Sequence, residues 1–190
     1  LETGQPMHAF DADRIKVSLT LRGAKNGEKI VPLDHRERVL AGGEIIIEDR
    51  EKLVDLAGLM GGLNTEISES TTRVYLLVPV YAPVSIRRAS KFLKLRTEAS
   101  TRFEKKLNLT QTEAVARRAI ALLAKETGGK QSTLVKVSDT FKMKVSDTLR
   151  LTPEKITKIV GIPFTDRQIT SLLAKVGVKK TPRGYQPPPW

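Results

Sequence analysis

From Arg14 to Arg22 polar and apolar side chains alternate, and Ile15, Val17, Leu19 and Leu21 fall on one face. That period of two predicts a half-buried strand. A turn follows at Gly23–Gly27. Further strands are expected over Lys29–Leu33, Glu44–Glu48, Leu53–Leu59 and Arg73–Val78, with Pro79 and Pro83 limiting the last. Five strands with short turns predict a β-rich first half.

The period changes after Pro83. Ile86, Ala89, Phe92 and Leu93 stand at helical spacing with Arg87, Arg88, Lys91 and Lys94 between them, which predicts an amphipathic, basic helix over 85–95. Residues 97–108 read as a polar connector. Thr110-Gln-Thr-Glu113 has the spacing of a capping box, opening a helix that ends at Gly128-Gly129. Leu134–Val137 is expected to be a strand. Thr152-Pro153-Glu154 starts a helix that stops at Gly161, since proline in the first turn loses no hydrogen bond. Thr165-Asp-Arg-Gln168 caps a second helix, ending near Gly177, with Leu172, Leu173 and Val176 expected to face inward. The pair resembles a helix-turn-helix. A packing module with no groove to enter is the plainer alternative, because Arg167 and Lys175 are the basic residues of the second helix. The fold class expected is α+β: a β-rich domain with packed helices in three layers (β/β/α), then a small helix-turn-helix-like unit.

Composition narrows the chemistry. The 190 residues include no cysteine and two histidines, which excludes disulfides, thiolate metal sites, cysteine nucleophiles and multi-histidine metal centres. No apolar run nears the ~20 residues of a membrane span, so a soluble, intracellular protein is expected. The chain opens on Leu1 rather than Met and reads as a piece of a longer polypeptide. The net charge is +12, but it is segregated: residues 1–86 hold 10 Lys/Arg against 13 Asp/Glu, and residues 87–190 hold 23 against 8. That asymmetry points to an anionic partner for the second half, nucleic acid first, with a solvated basic face as the alternative. Aromatic residues are 5% of the chain, so phosphate contacts rather than base stacking would carry such binding.

No glycine-rich phosphate loop precedes a helix, and no Ser/His/Asp spacing stands out. His8 with Asp11 and Asp13 could form a small acid/base group, or His8 could be a structural loop histidine. Ser100, Thr101, Arg102 and Glu104 look like a polar loop with local hydrogen bonds.

Three longer strings carry more. Gly4-Gln-Pro-Met-His8-Ala-Phe-Asp11, Leu56-Ala-Gly-Leu-Met-Gly61-Gly62 and Leu95-Arg-Thr97-Glu-Ala99-Ser-Thr-Arg-Phe-Glu104 resemble, in the same order, motifs of the phenylalanine–tRNA ligase β subunit. The resemblance implies an editing domain of the B3/B4 type over 1–145 and the start of a B5-type domain over 148–190. It implies a cytoplasmic enzyme that charges tRNA(Phe) with phenylalanine, built from this β subunit, an α subunit and a second αβ pair. ATP and magnesium serve the holoenzyme, and no cofactor or metal site is expected in this chain. The editing domain of that family hydrolyses tyrosine wrongly joined to tRNA(Phe). Selection by binding alone falls short there, because an apolar pocket rejects an added hydroxyl by only ~10²-fold.

Carried over residue by residue, the resemblance implies His8 and Thr97 as editing residues that position tRNA or water, and Gly61, Leu77, Thr97 and Ala99 as the substrate pocket. Backbone amides near Gly61 are candidate oxyanion donors. Arg87, Arg88, Lys91 and Lys94 are the expected nucleic-acid contacts. One departure stands out. The family carries a glutamate that reads the tyrosine hydroxyl where this sequence has Leu77, and a leucine has no acceptor. A non-catalytic tRNA-binding or scaffold module, with editing lost, is therefore the alternative function. Glu98 for the usual aspartate and Lys105-Lys106 for Arg-Gly are smaller departures.

Overall fold

Residues 2–16, 18–133 and 148–188 are described by a computed structural model of the protein. The fold is α+β. Two compact units follow one another, Leu1–Lys130 and Gln131–Trp190.

The first unit opens with β1 (His8–Asp11) and a single 3-10 turn, Ala12–Arg14. Strands β2 (Thr20–Gly23), β3 (Lys29–Ile30), β4 (Arg38–Val39), β5 (Ile45–Glu48), β6 (Leu53–Leu56), β7 (Met60–Gly61) and β8 (Val74–Leu77) follow. They pair antiparallel as a four-stranded sheet in the order β2-β5-β6-β7, with β1-β8 and β3-β4 as separate ribbons. The apolar run of β5 and β6 puts Ile46, Ile47, Val54 and Leu56 in the core with Phe10, Leu40, Ile86 and Phe103. Arg22 holds the β2 edge to its neighbours. Its guanidinium donates to both carboxylate oxygens of Glu28 at 2.9 and 2.8 Å and to Glu48 at 2.5 Å. Those donors hold the Glu28 carboxyl down at about 2.

Helix α1 (Pro83–Phe92) sets Ile86 and Ala89 against this core, α2 (Glu98–Phe103) adds Phe103, and α3 (Thr112–Thr127) closes at Gly128, whose φ of 68° suits a left-handed cap. The second unit holds α4 (Pro153–Val160), α5 (Asp166–Lys175) and a hairpin of β9 (Lys179–Thr181) and β10 (Gly184–Gln186), with α5 packed on β9. Tyr185 is its buried centre, its hydroxyl within 2.9 Å of Thr170 Oγ1 and 3.3 Å of Asp166 Oδ1.

Several expectations need correction. The strand over 14–22 is confined to Thr20–Gly23, because the turn after Asp11 and the bond from the Lys16 amide to Asp49 Oδ2 bend the chain first. Leu21 is half exposed rather than inward, and Val17 lies outside the described residues. The stretch 53–59 is strand only to Leu56. The polar connector contains α2, since Thr97 and Ser100 form a reciprocal cap. The box at Thr110 does not cap α3. Asn108 Oδ1 accepts from the Thr110 amide and hydroxyl, making a 3-10 turn first, and α3 starts after Gln111 without a side-chain cap. Phe92 at 58% exposure and Val176 at 63% face solvent, as does Leu172, while Ile169 takes the buried position on α5. The expected strand at 134–137 lies outside the described residues.

Candidate functional site

The three separated motifs meet at one pocket. In antiparallel pairing, directly opposite residues project to the same face. His8 stands opposite Leu77 on the β1–β8 ribbon, and Asp55 stands opposite Gly61 on β6–β7. Gly61 decides the junction. A Cβ there would lie 2.2 Å from His8 Cε1 and 2.3 Å from Nε2, so the imidazole occupies the space a side chain would need. The ring also stacks edge-on against Phe10, with centroids 4.5 Å apart.

Gly58 shapes the other end. Its φ is +75°, and a Cβ would meet Ile86 Cδ1 at 2.6 Å and Tyr81 Cδ2 at 2.9 Å. The turn between β6 and β7 therefore lies directly against Tyr81 and α1. Tyr81 packs edge-on against Phe103 of α2, with centroids 4.9 Å apart.

The result is a cavity of about 70 Å³ lined by His8, Asp55, Gly61, Leu77, Tyr81 and Ala99, with Pro6, Met7 and Met60 among the apolar residues around them. It is smaller than the ~150 Å³ apolar cavity that holds a benzene ring. Met7, at its edge, is half exposed.

Of the residues expected at the site, His8, Gly61, Leu77 and Ala99 share this wall. Thr97 stands behind it. Its hydroxyl donates to the Leu59 carbonyl at 2.9 Å and accepts from the Ser100 amide at 3.1 Å, so it clamps the start of α2 to the β6–β7 turn and fixes Ala99. The amides of Leu59 and Gly62 are committed to the Leu56 and Val54 carbonyls. The acid/base group of His8 with Asp11 and Asp13 is not formed. Asp11 turns to Thr71 and Arg14, and Asp13 pairs with Arg73.

Asp55 and Tyr81 were not anticipated. Both are almost fully buried. Burial pushes the Asp55 carboxyl up to about 8, and burial first, then the charge of Asp55, raises the Tyr81 phenol. Burial lowers His8 below 6.5. His8 Nε2 and the Tyr81 hydroxyl are buried without a hydrogen-bond partner among the described residues. At neutral pH the pocket is therefore uncharged, apolar on most walls, and holds unpaired polar atoms. A single charged residue inside an otherwise apolar strand, Asp55 in Leu53-Val-Asp-Leu-Ala57, was the signal that could have found it.

On the opposite side of α1 the picture is electrostatic. Arg87, Arg88 and Lys91 are exposed there, beside the exposed Phe92; the helix expected over 85–95 ends at Phe92, so Lys94, with a φ of 50°, lies exposed beyond it, and none of the four makes an ion pair with the described residues. Among the described residues no group of three His, Cys, Asp or Glu could hold a metal ion, and no helix is long and apolar enough to cross a membrane.

Residues 1–128 match the model of the B3/4 domain. The chain belongs to the B3/4 domain family. Over 178 residues it is 38% identical to the phenylalanine–tRNA ligase β subunit of Gloeobacter violaceus, covering 93% of this chain and 22% of that protein. It is 34% identical over 184 residues to the β subunit of Fusobacterium nucleatum, covering 96% and 23%. The β subunit of Bacillus cereus is 38% identical over 177 residues. The chain thus spans under a quarter of the curated relatives it matches, the B3/4 domain and a following stretch.

Proposed function

We propose that the chain is the editing part of a phenylalanine–tRNA ligase β subunit and hydrolyses the ester of tyrosine wrongly joined to tRNA(Phe). The observation that carries this reading is the convergence of His8, Gly61, Leu77 and Ala99, from widely spaced motifs, on one small apolar pocket. An amino-acid side chain enters there, and water attacks the ester carbonyl at the mouth. The neutral imidazole of His8 orients that water. The proton lost by water passes to the departing ribose oxygen, leaving free tyrosine and tRNA. Thr97 acts through Leu59 and α2 rather than by touching substrate. In this reading the cytoplasmic holoenzyme joins the chain to an α subunit and a second αβ pair, and the α subunit's synthetic site uses ATP and magnesium.

A second reading, a tRNA-binding scaffold without hydrolysis, is favoured by Leu77, which gives the wall no acceptor. Deacylation of Tyr-tRNA(Phe) by the intact β subunit in its complex separates the two. Faster hydrolysis than the spontaneous rate supports editing, and a rate equal to it supports the scaffold.

Both readings need tRNA on the protein. The exposed cations of α1 lie across the helix from Ile86, which backs the pocket at Gly58. Replacing Arg87, Arg88 and Lys91 together by alanine is expected to weaken tRNA binding. It should also reduce the slope of log K against log salt by roughly 2–3, because each lost phosphate contact releases one fewer counterion. Binding titrations at several salt concentrations check this, and an unchanged slope removes the helix from the interface.

A further inference from the structure

Asp55 has no structural work that the fold reveals. It is 4% exposed, desolvation is what raises its carboxyl, and no hydrogen bond or ion pair to it is formed among the described residues. Buried polar groups in native proteins are nearly always paired, so an unpaired carboxyl needs a reason. Its cross-strand partner is Gly61, so its side chain lies on the face of the sheet where the His8 ring sits. It lines the same cavity as Leu77 and Tyr81.

Resting on the editing reading, we infer that Asp55, seconded by Tyr81, is the specificity-determining group of the pocket, receiving the ring hydroxyl of a bound tyrosyl-type side chain where Leu77 offers no polar atom. The chemistry of the walls selects this ligand class. A protonated carboxyl both donates and accepts one hydrogen bond, as a phenol does. The Tyr81 hydroxyl, unpaired and buried, supplies a second partner. The remaining walls are apolar or aromatic, and the other titratable groups facing Asp55, His8 and Tyr81, are uncharged at neutral pH. An ammonium or guanidinium head would lose its hydration there with one carboxylate in return, at a cost a single buried pair repays poorly. A plain phenyl ring would leave both polar atoms unpaired, which is how a site built for a hydroxyl rejects its absence.

The test compares binding of L-tyrosinamide and L-phenylalaninamide to the intact subunit by calorimetric titration. The wild type is expected to prefer the tyrosine probe by ~10-fold or more. Asp55→Ala should bring that ratio to within about twofold, Asp55→Asn should keep part of it because the amide still donates and accepts, and Tyr81→Phe should lower it in part. A ratio unchanged in Asp55→Ala overturns the inference, as does a wild type with no tyrosine preference, including one that binds neither probe. The two readings fail separately. An Asp55-dependent preference without ester hydrolysis rejects editing alone, and hydrolysis of Tyr-tRNA(Phe) with the same selectivity in Asp55→Ala rejects this inference alone.

Discussion

Gly61→Ala is expected to abolish most of the hydrolytic activity, by about 100-fold, while costing on the order of 1–3 kcal/mol of stability. The backbone at this position is not the obstacle, since its φ is not in the left-handed region. The obstacle is the added methyl, placed 2.2–2.3 Å from two atoms of the His8 ring. The imidazole must rotate away or the two strands must part. Either change pulls His8 off the wall it shares with Leu77 and, on the editing reading proposed above, removes the group that orients water. A double-mutant cycle isolates the cause. A His8→Ala background removes the three atoms nearest the methyl, so Gly61→Ala should then cost less stability, and the difference between the two backgrounds measures the coupling. Urea unfolding and Tyr-tRNA(Phe) deacylation read both effects. Equal costs in the two backgrounds would show that the methyl strains something other than the ring.

Asp55→Asn should change the pH dependence of stability more than any other single substitution in the pocket. The carboxyl ionises near 3.8 in the unfolded chain and at about 8 when folded. Between those values the unfolded state has released a proton that the folded state keeps. Stability is therefore fully present below 3.8 and falls by about 1.4 kcal/mol per pH unit as pH rises, levelling off above about 8. At pH 7 the accumulated cost is on the order of 4 kcal/mol, a sizeable share of a domain's total stability. His8 works in the opposite sense. Its depressed value makes stability fall as pH drops below 6.5, so the range from 7 to 8 reports Asp55 most cleanly. The Asn variant should lack the decline across that range and be the more stable protein at pH 8, by urea denaturation at pH 5, 7 and 8. A wild type as stable at pH 8 as at pH 5, with no difference from the variant, would mean that Asp55 is solvated or paired in the folded protein. Retaining so costly a group is understandable where a ligand satisfies it.

Local patterns made much of the framework legible. Short apolar runs bounded by turn residues located β5 and β8 to within a residue and β6 at its start, and Pro153, Gly161 and the Thr165–Gln168 box bounded α4 and α5, because those signals act within one turn or one strand. Where a local signal competed with a longer contact, the contact won. Thr97 and Ser100 make a reciprocal cap in a stretch that reads as loop, and Asn108 captures the threonine that should have capped α3. The very short strands β4 and β7 carry too few residues to show a period. Phe92 fits the apolar stripe of α1 by spacing, yet that helix is only half covered and leaves the ring exposed. At the pocket, the resemblance pointed to His8, Gly61, Leu77, Thr97 and Ala99, of which Thr97 stands behind the wall the other four share. It could not point to Asp55 or Tyr81. Their importance lies in what surrounds them, a cross-strand glycine, a histidine ring and walls with no hydrogen-bond partner to offer.

The most direct measurement is the structure of the intact subunit soaked with a tyrosyl adenosine in which an amide replaces the labile ester. The phenol ring is expected between His8, Gly61, Leu77 and Ala99, with its hydroxyl within hydrogen-bond distance of Asp55 and Met7 displaced from its present position. A ring bound elsewhere on the subunit, or this pocket empty at saturating ligand, would contradict this expectation.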